Sequence, residues 1–152
     1  MITETDYYQS HDDKPTRDLR TEYSTSMTPE IEANARRTIT ATNALLADLG
    51  VSVPGLNSGW RPPAYNAKVP NAKKFSLHMS ACAIDVTDHE GLIDEMLLHD
   101  WQQCFAAGTP LLSYLGKYNL WLEHPSQTKG WCHLQIKAQA SYKITGNRVF
   151  YP

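Results

Sequence analysis

Between Thr28 and Gly50 the chain spells out one long helix, and no other stretch commits so strongly to a single conformation. Thr28 offers a hydroxyl N-cap, Pro29 enters the first turn where its missing N–H is not needed, and Glu30 meets the positive end of the helix dipole. Ile31, Ala35, Ile39, Leu45, Leu46 and Leu49 recur at three- and four-residue steps over 29–49, with Thr42 the polar member of the stripe. Gly50 is the stop. A stripe of this kind is core, not a cofactor site, and it demands another surface to cover it.

That surface must come from strands. Residues 1–27 read as a polar N-terminal arm, with a turn at Asp12-Asp13-Lys14-Pro15. Val51 to Gly55 breaks the helical pattern, and Leu56 to Arg61 reads as a short strand running into a loop. Pro62-Pro63 and Pro70-Asn71 keep the chain irregular as far as residue 75. Ala83–Thr87 is a predicted strand, Leu92–Cys104 a second helix, and Leu111–Leu115 a short third one. Asn119–His124 and Trp131–Ile136 alternate as two strands around the turn-rich Pro125–Gly130, and Arg148–Pro152 closes as an edge strand or strap. Helices lead and strands cluster later. The expected class is α+β: a helix packed on a small antiparallel sheet, in a single domain over 28–152.

Composition narrows the partners. A net charge of −2 gives no reason to expect nucleic acid or a membrane surface. No apolar run approaches the roughly 18 residues of a spanning helix, and Met1 opens on acidic and polar residues rather than a basic-then-apolar leader. A monomer in a cytoplasm is the expectation. Cys82, Cys104 and Cys132 are scattered without CxxC spacing, which argues against a disulfide framework or a zinc ribbon. Cys82 and Cys132 lie close to the candidate ligands below, either as rival ligands or as small buried thiols.

The chemistry concentrates in Ser76-Leu77-His78-Met79-Ser80-Ala81-Cys82-Ala83-Ile84-Asp85 and, far downstream, in Trp131-Cys132-His133. Two imidazoles and a carboxylate suit Zn²⁺, and three protein ligands rather than four leave a position for water. On adjacent strands Asp85 and His133 can project from one face, with His78 reaching in from the preceding loop. If 119–124 and 131–136 form a hairpin, Glu123 shares that face with His133. It is then either a proton acceptor beside the metal or an exposed glutamate on a half-buried strand. His124 points to the other face. Arg61 is suited to hold a substrate carbonyl or carboxylate, or else is an ordinary surface arginine. His11, His89 and His99 have no such company.

Taken together these residues resemble the M15 family of zinc peptidases, which includes D-alanyl-D-alanine carboxypeptidases and dipeptidases and phage L-alanyl-D-glutamate endopeptidases. The family's SxHxxGxAxD signature is matched by Ser76, His78, Ala83 and Asp85, with Ala81 where glycine is usual. Its SGYR element and following tyrosine-asparagine pair appear as Ser58-Gly59-Trp60-Arg61 and Tyr65-Asn66. The similarity covers roughly 28–137, and the chain is most similar to small phage-encoded members. One departure matters: many relatives carry an acid three residues before the last histidine, where this chain has Gly130. Glu123 is the nearest acidic replacement. Ala81 is a milder change, harmful only if that backbone needs positive φ.

The resemblance implies a hedgehog/DD-peptidase-like fold and a zinc peptidase acting on peptidoglycan stem peptides, as a phage endolysin does. His78, Asp85 and His133 would hold Zn²⁺, Glu123 would act as base, Arg61 would stabilise the oxyanion and Ser76 would help orient the imidazoles. Alternatives are D-Ala-D-Ala carboxypeptidase action and a non-catalytic zinc-binding virion domain.

Overall fold

The structure, a computed structural model, describes residues 1–11, 16–52, 55–138 and 148–151. The turn expected at 12–15 and the last residue of the expected closing strand lie outside the described residues. In chain order the elements are α1 (Glu4–Tyr8), α2 (Leu19–Glu22), α3 (Pro29–Asp48), β1 (Leu56–Ser58), α4 (Pro63–Asn66) and β2 (Ala83–Asp88). They continue with α5 (Leu92–Ala106), α6 (Tyr114–Lys117), β3 (Trp121–Glu123), β4 (Gly130–Gln135) and β5 (Val149–Phe150). Single 3₁₀ turns lie at Ser24–Ser26, Leu77–Ser80 and Pro110–Leu112.

Helix α3 begins and ends as its residues dictate. Thr28 Oγ1 accepts the Ile31 N–H at 3.3 Å. At the other end Gly50 takes φ +67°, while Val51 N–H reaches Leu46 O and Gly50 N–H reaches Ala47 O, closing the helix as a Schellman turn. Ala35, Ile39, Thr42, Leu45 and Leu46 are buried, and so are Asn34 and Thr38 beside them.

The fold is α+β, with a five-stranded sheet in the order β1-β2-β4-β3-β5. The pairs β1/β2, β2/β4 and β3/β4 are antiparallel, as expected. The outer pair β3/β5 is parallel, so the expectation of a wholly antiparallel sheet is corrected at that edge. The reason is occupancy. A returning strand reverses direction from β4, but β2 and β3 already take both sides of β4, so β5 docks on β3 and runs with it. Ile84, Val86, Leu122, Cys132 and Leu134 join α3 and α5 residues such as Leu45, Leu46, Leu97 and Trp101 in one core. Each large apolar side chain so buried contributes roughly 1.5–3 kcal/mol.

The polar arm is woven into that core. Ile2, Tyr7, Tyr8 and Leu19 are all buried, although charged and hydroxyl neighbours hide them in composition. Among the described residues, no helix is long and apolar enough to cross a membrane.

Candidate metal centre

Strand register draws a row of side chains across the sheet. Ser58 pairs with Asp85, Asp85 with His133, and Glu123 with Phe150. Leu122 pairs with Leu134, and one further step of that register sets Glu123 beside His133. Each of the five strands therefore supplies one residue to the floor of a cleft of about 470 Å³, which Arg61, Lys73, Ser76, His78, Trp131 and Gln135 also line.

His78 reaches this row from the 3₁₀ turn, and neighbouring segments fix it at both ends. Ser76 Oγ accepts the His78 backbone N–H at 3.3 Å, capping the turn. Arg61 N–H donates to His78 O at 3.2 Å, and His78 Nδ1 meets Gly59 O at 2.7 Å. The Gly59 carbonyl can only accept, so Nδ1 carries the proton and Nε2 is left with a lone pair. Ser76 thus orders the turn's backbone, while Gly59 orients the ring. Trp60 anchors that segment. It is fully buried, its Nε1–H donates to Met79 O at 3.2 Å, and its backbone N–H donates to Tyr7 O at 3.0 Å.

Helix α3 supports the same turn. Asn34 Nδ2 donates to Ser80 O at 3.0 Å and Thr38 Oγ1 to Ala81 O at 2.9 Å. Tyr7 Oη donates to Ala83 O at 2.8 Å. Ala81 itself sits at φ +56°, the left-handed conformation that glycine adopts freely. Alanine here costs roughly 1–2 kcal/mol, which the hydrogen bonds around it offset.

The three expected ligands converge. Asp85 Oδ1 lies 2.6 Å from His133 Nδ1, and Asp85 Oδ2 lies 3.2 Å from His78 Nε2. One donor atom from each residue falls within 4.8 Å of the other two. His78 Nε2 is buried without a hydrogen-bond partner and faces a carboxylate oxygen. Two acceptors face to face need a cation between them. A proton fits poorly there, because burial holds the His78 pKa below its ordinary value and the Asp85 charge only partly offsets this. Burial would raise the Asp85 pKa, yet the two imidazoles hold it far below the usual carboxylate range. For His133 burial again opposes the charged form, but Asp85 and then Glu123 outweigh it and raise the pKa. This cluster could hold a metal ion.

Glu123 Oε2 lies 3.9 Å from His133 Nε2, the ring nitrogen opposite the one that faces Asp85. Arg61 Nη2 donates to Ser76 Oγ at 3.4 Å, while Arg61 Nε is buried and unpartnered at the cleft. Cys82 and Cys132 are buried free thiols outside the donor cluster. His124 turns away from the row, as expected, and stacks on Tyr151 with ring centroids 4.4 Å apart. Sequence reasoning placed Gly59 and Trp60 in a motif without giving them a role, and missed Asn34, Thr38 and Gln135. Of these three only Gln135 carried a usable signal, two residues after His133 on the same strand face. Neither a family model, nor a curated protein, nor a solved structure matches the chain.

Proposed function

We propose that this protein is a zinc peptidase that cleaves peptide bonds in the stem peptides of bacterial peptidoglycan, in the manner of a phage endolysin. The observation that carries this reading is the trio of His78, Asp85 and His133 on the floor of an open cleft. Two nitrogens and one oxygen suit zinc, and three ligands leave room for water and substrate. When bound, the ion supplies an acidified water and polarises a carbonyl beside it.

The chain's own residues do the rest. Glu123 borders the cleft beside His133 and accepts the proton that the attacking water gives up, then returns it to the departing amine. The Arg61 guanidinium holds the oxygen on which charge develops. His78 is kept on station by Gly59 and Arg61, and Asp85 remains ionised because both imidazoles favour its charged form.

A second reading is favoured by the unpartnered Arg61 Nε. It is a donor suited to a free C-terminal carboxylate, as a carboxypeptidase needs. Mass spectrometry of fragments released from purified peptidoglycan identifies the bond, and amidating the substrate's C-terminus abolishes cleavage only if the second reading holds. Glu123→Gln should keep the metal and lose roughly 10²- to 10⁴-fold in turnover. Bound zinc with no release of fragments would instead identify a non-catalytic zinc domain.

A further inference from the structure

We propose that Gln135 is a positioning residue for the metal: its side-chain oxygen accepts the Nε2–H of His133 and keeps a proton on that nitrogen when Nδ1 gives up its own to bind the ion. The inference rests on the metal-binding reading above and adds a residue to it. Strand β4 places Gln135 two residues after His133, on the same sheet face. The residue is only 1% exposed, and its Oε1 lies 3.3 Å from His133 Nε2. A carbonyl oxygen cannot donate, so the hydrogen between them belongs to the ring.

His133 Nδ1 hydrogen-bonds the acceptor-only Asp85 Oδ1 at 2.6 Å, so Nδ1 must give up its proton to bind a metal, and the proton left on the ring is then the one on Nε2. Glu123 addresses the same Nε2 but at 3.9 Å, beyond hydrogen-bond length. The amide is therefore the nearer of the two acceptors at Nε2 and the one that holds the proton there. His78 is held by the opposite logic, with Nδ1 donating to Gly59 and Nε2 left free. The two rings thus present different nitrogens to one ion, each fixed by a carbonyl behind it.

The test is zinc titration against a chromophoric chelator, together with nitrogen-detected NMR of the imidazoles in the zinc-loaded protein. Gln135→Met keeps the length of the side chain and removes the acceptor, whereas Gln135→Glu keeps an acceptor in its place. The expected result is a roughly 10- to 100-fold weaker zinc affinity for the Met variant and recovery in the Glu variant. His133 in the zinc-loaded, unaltered protein should carry its only ring proton on Nε2. A Met variant that binds zinc as tightly as the unaltered protein overturns the proposal while leaving the metal reading intact. So does a His133 protonated on Nδ1, a result that stands even if the Met variant does not fold. Failure of the unaltered protein to bind zinc overturns both.

Discussion

Single residues here are chosen by what lies against them. An ideal Cβ on Gly59 would sit 2.1 Å from the Tyr7 carbonyl oxygen, so the arm's backbone forbids any side chain there. Gly59→Ala should cost about 1–3 kcal/mol in urea denaturation, the ordinary range for overpacking. It should also weaken zinc binding, because the Gly59 carbonyl orients His78. Gly130 takes φ +89°, a conformation that side chains rarely adopt. His133→Ala removes one of three donors and should abolish stoichiometric zinc binding in metal analysis.

At the scale of an element, α3 does two jobs with residues of one type. The Thr38 hydroxyl is fully buried and donates to Ala81 O, beneath the turn that carries His78. The Thr42 hydroxyl, one helical turn on, is equally buried and has no partner. Thr38→Val strands a buried carbonyl and should destabilise the fold by about 1–3 kcal/mol. Thr42→Val removes an unsatisfied group at constant shape and should be neutral or stabilising. Chemical denaturation of the two variants side by side reads the contrast. Equal effects would mean that α3 packs on the turn without holding it by hydrogen bonds.

Across the whole molecule, the far side of the sheet stores an electrostatic cost. Asp94 is buried, takes a 3.4 Å hydrogen bond from Thr128, and leaves Oδ1 unpartnered. Burial, reinforced by Asp88, raises its pKa from 3.8 to about 6. The folded state thus binds this proton more tightly than the unfolded chain does. Its stabilising contribution is complete below the unfolded pKa and is lost as pH rises through about 6. Asp94→Asn should flatten the fall in unfolding free energy between pH about 4 and 7, gaining at most about 3 kcal/mol at the upper end. A variant whose pH profile parallels the unaltered protein would place the titration elsewhere. Zinc should add to stability by mass action, about 2.7 kcal/mol at a hundredfold excess over its Kd, and a chelator should reverse it.

The local code carried a good deal. The capped stripe of α3 and the alternation in β2, β3 and β4 were legible because each depends on near neighbours in the chain, whereas the grouping of His78 and Asp85 with the distant His133 rested on a resemblance to a known signature. Pairing Glu123 with His133 followed from the hairpin, whose turn sets its register. What the chain order could not express was anything that depends on distant backbone. Tyr7 approaches Gly59, Thr38 and Asn34 reach the turn before β2, and β5 docks in parallel on β3. Those contacts exist only once the sheet and α3 have closed on each other. They hold in place the turn that carries His78 and the Gly59 carbonyl that orients its ring, because a side chain's hydrogen-bond partner is fixed by whatever backbone the closed fold brings against it.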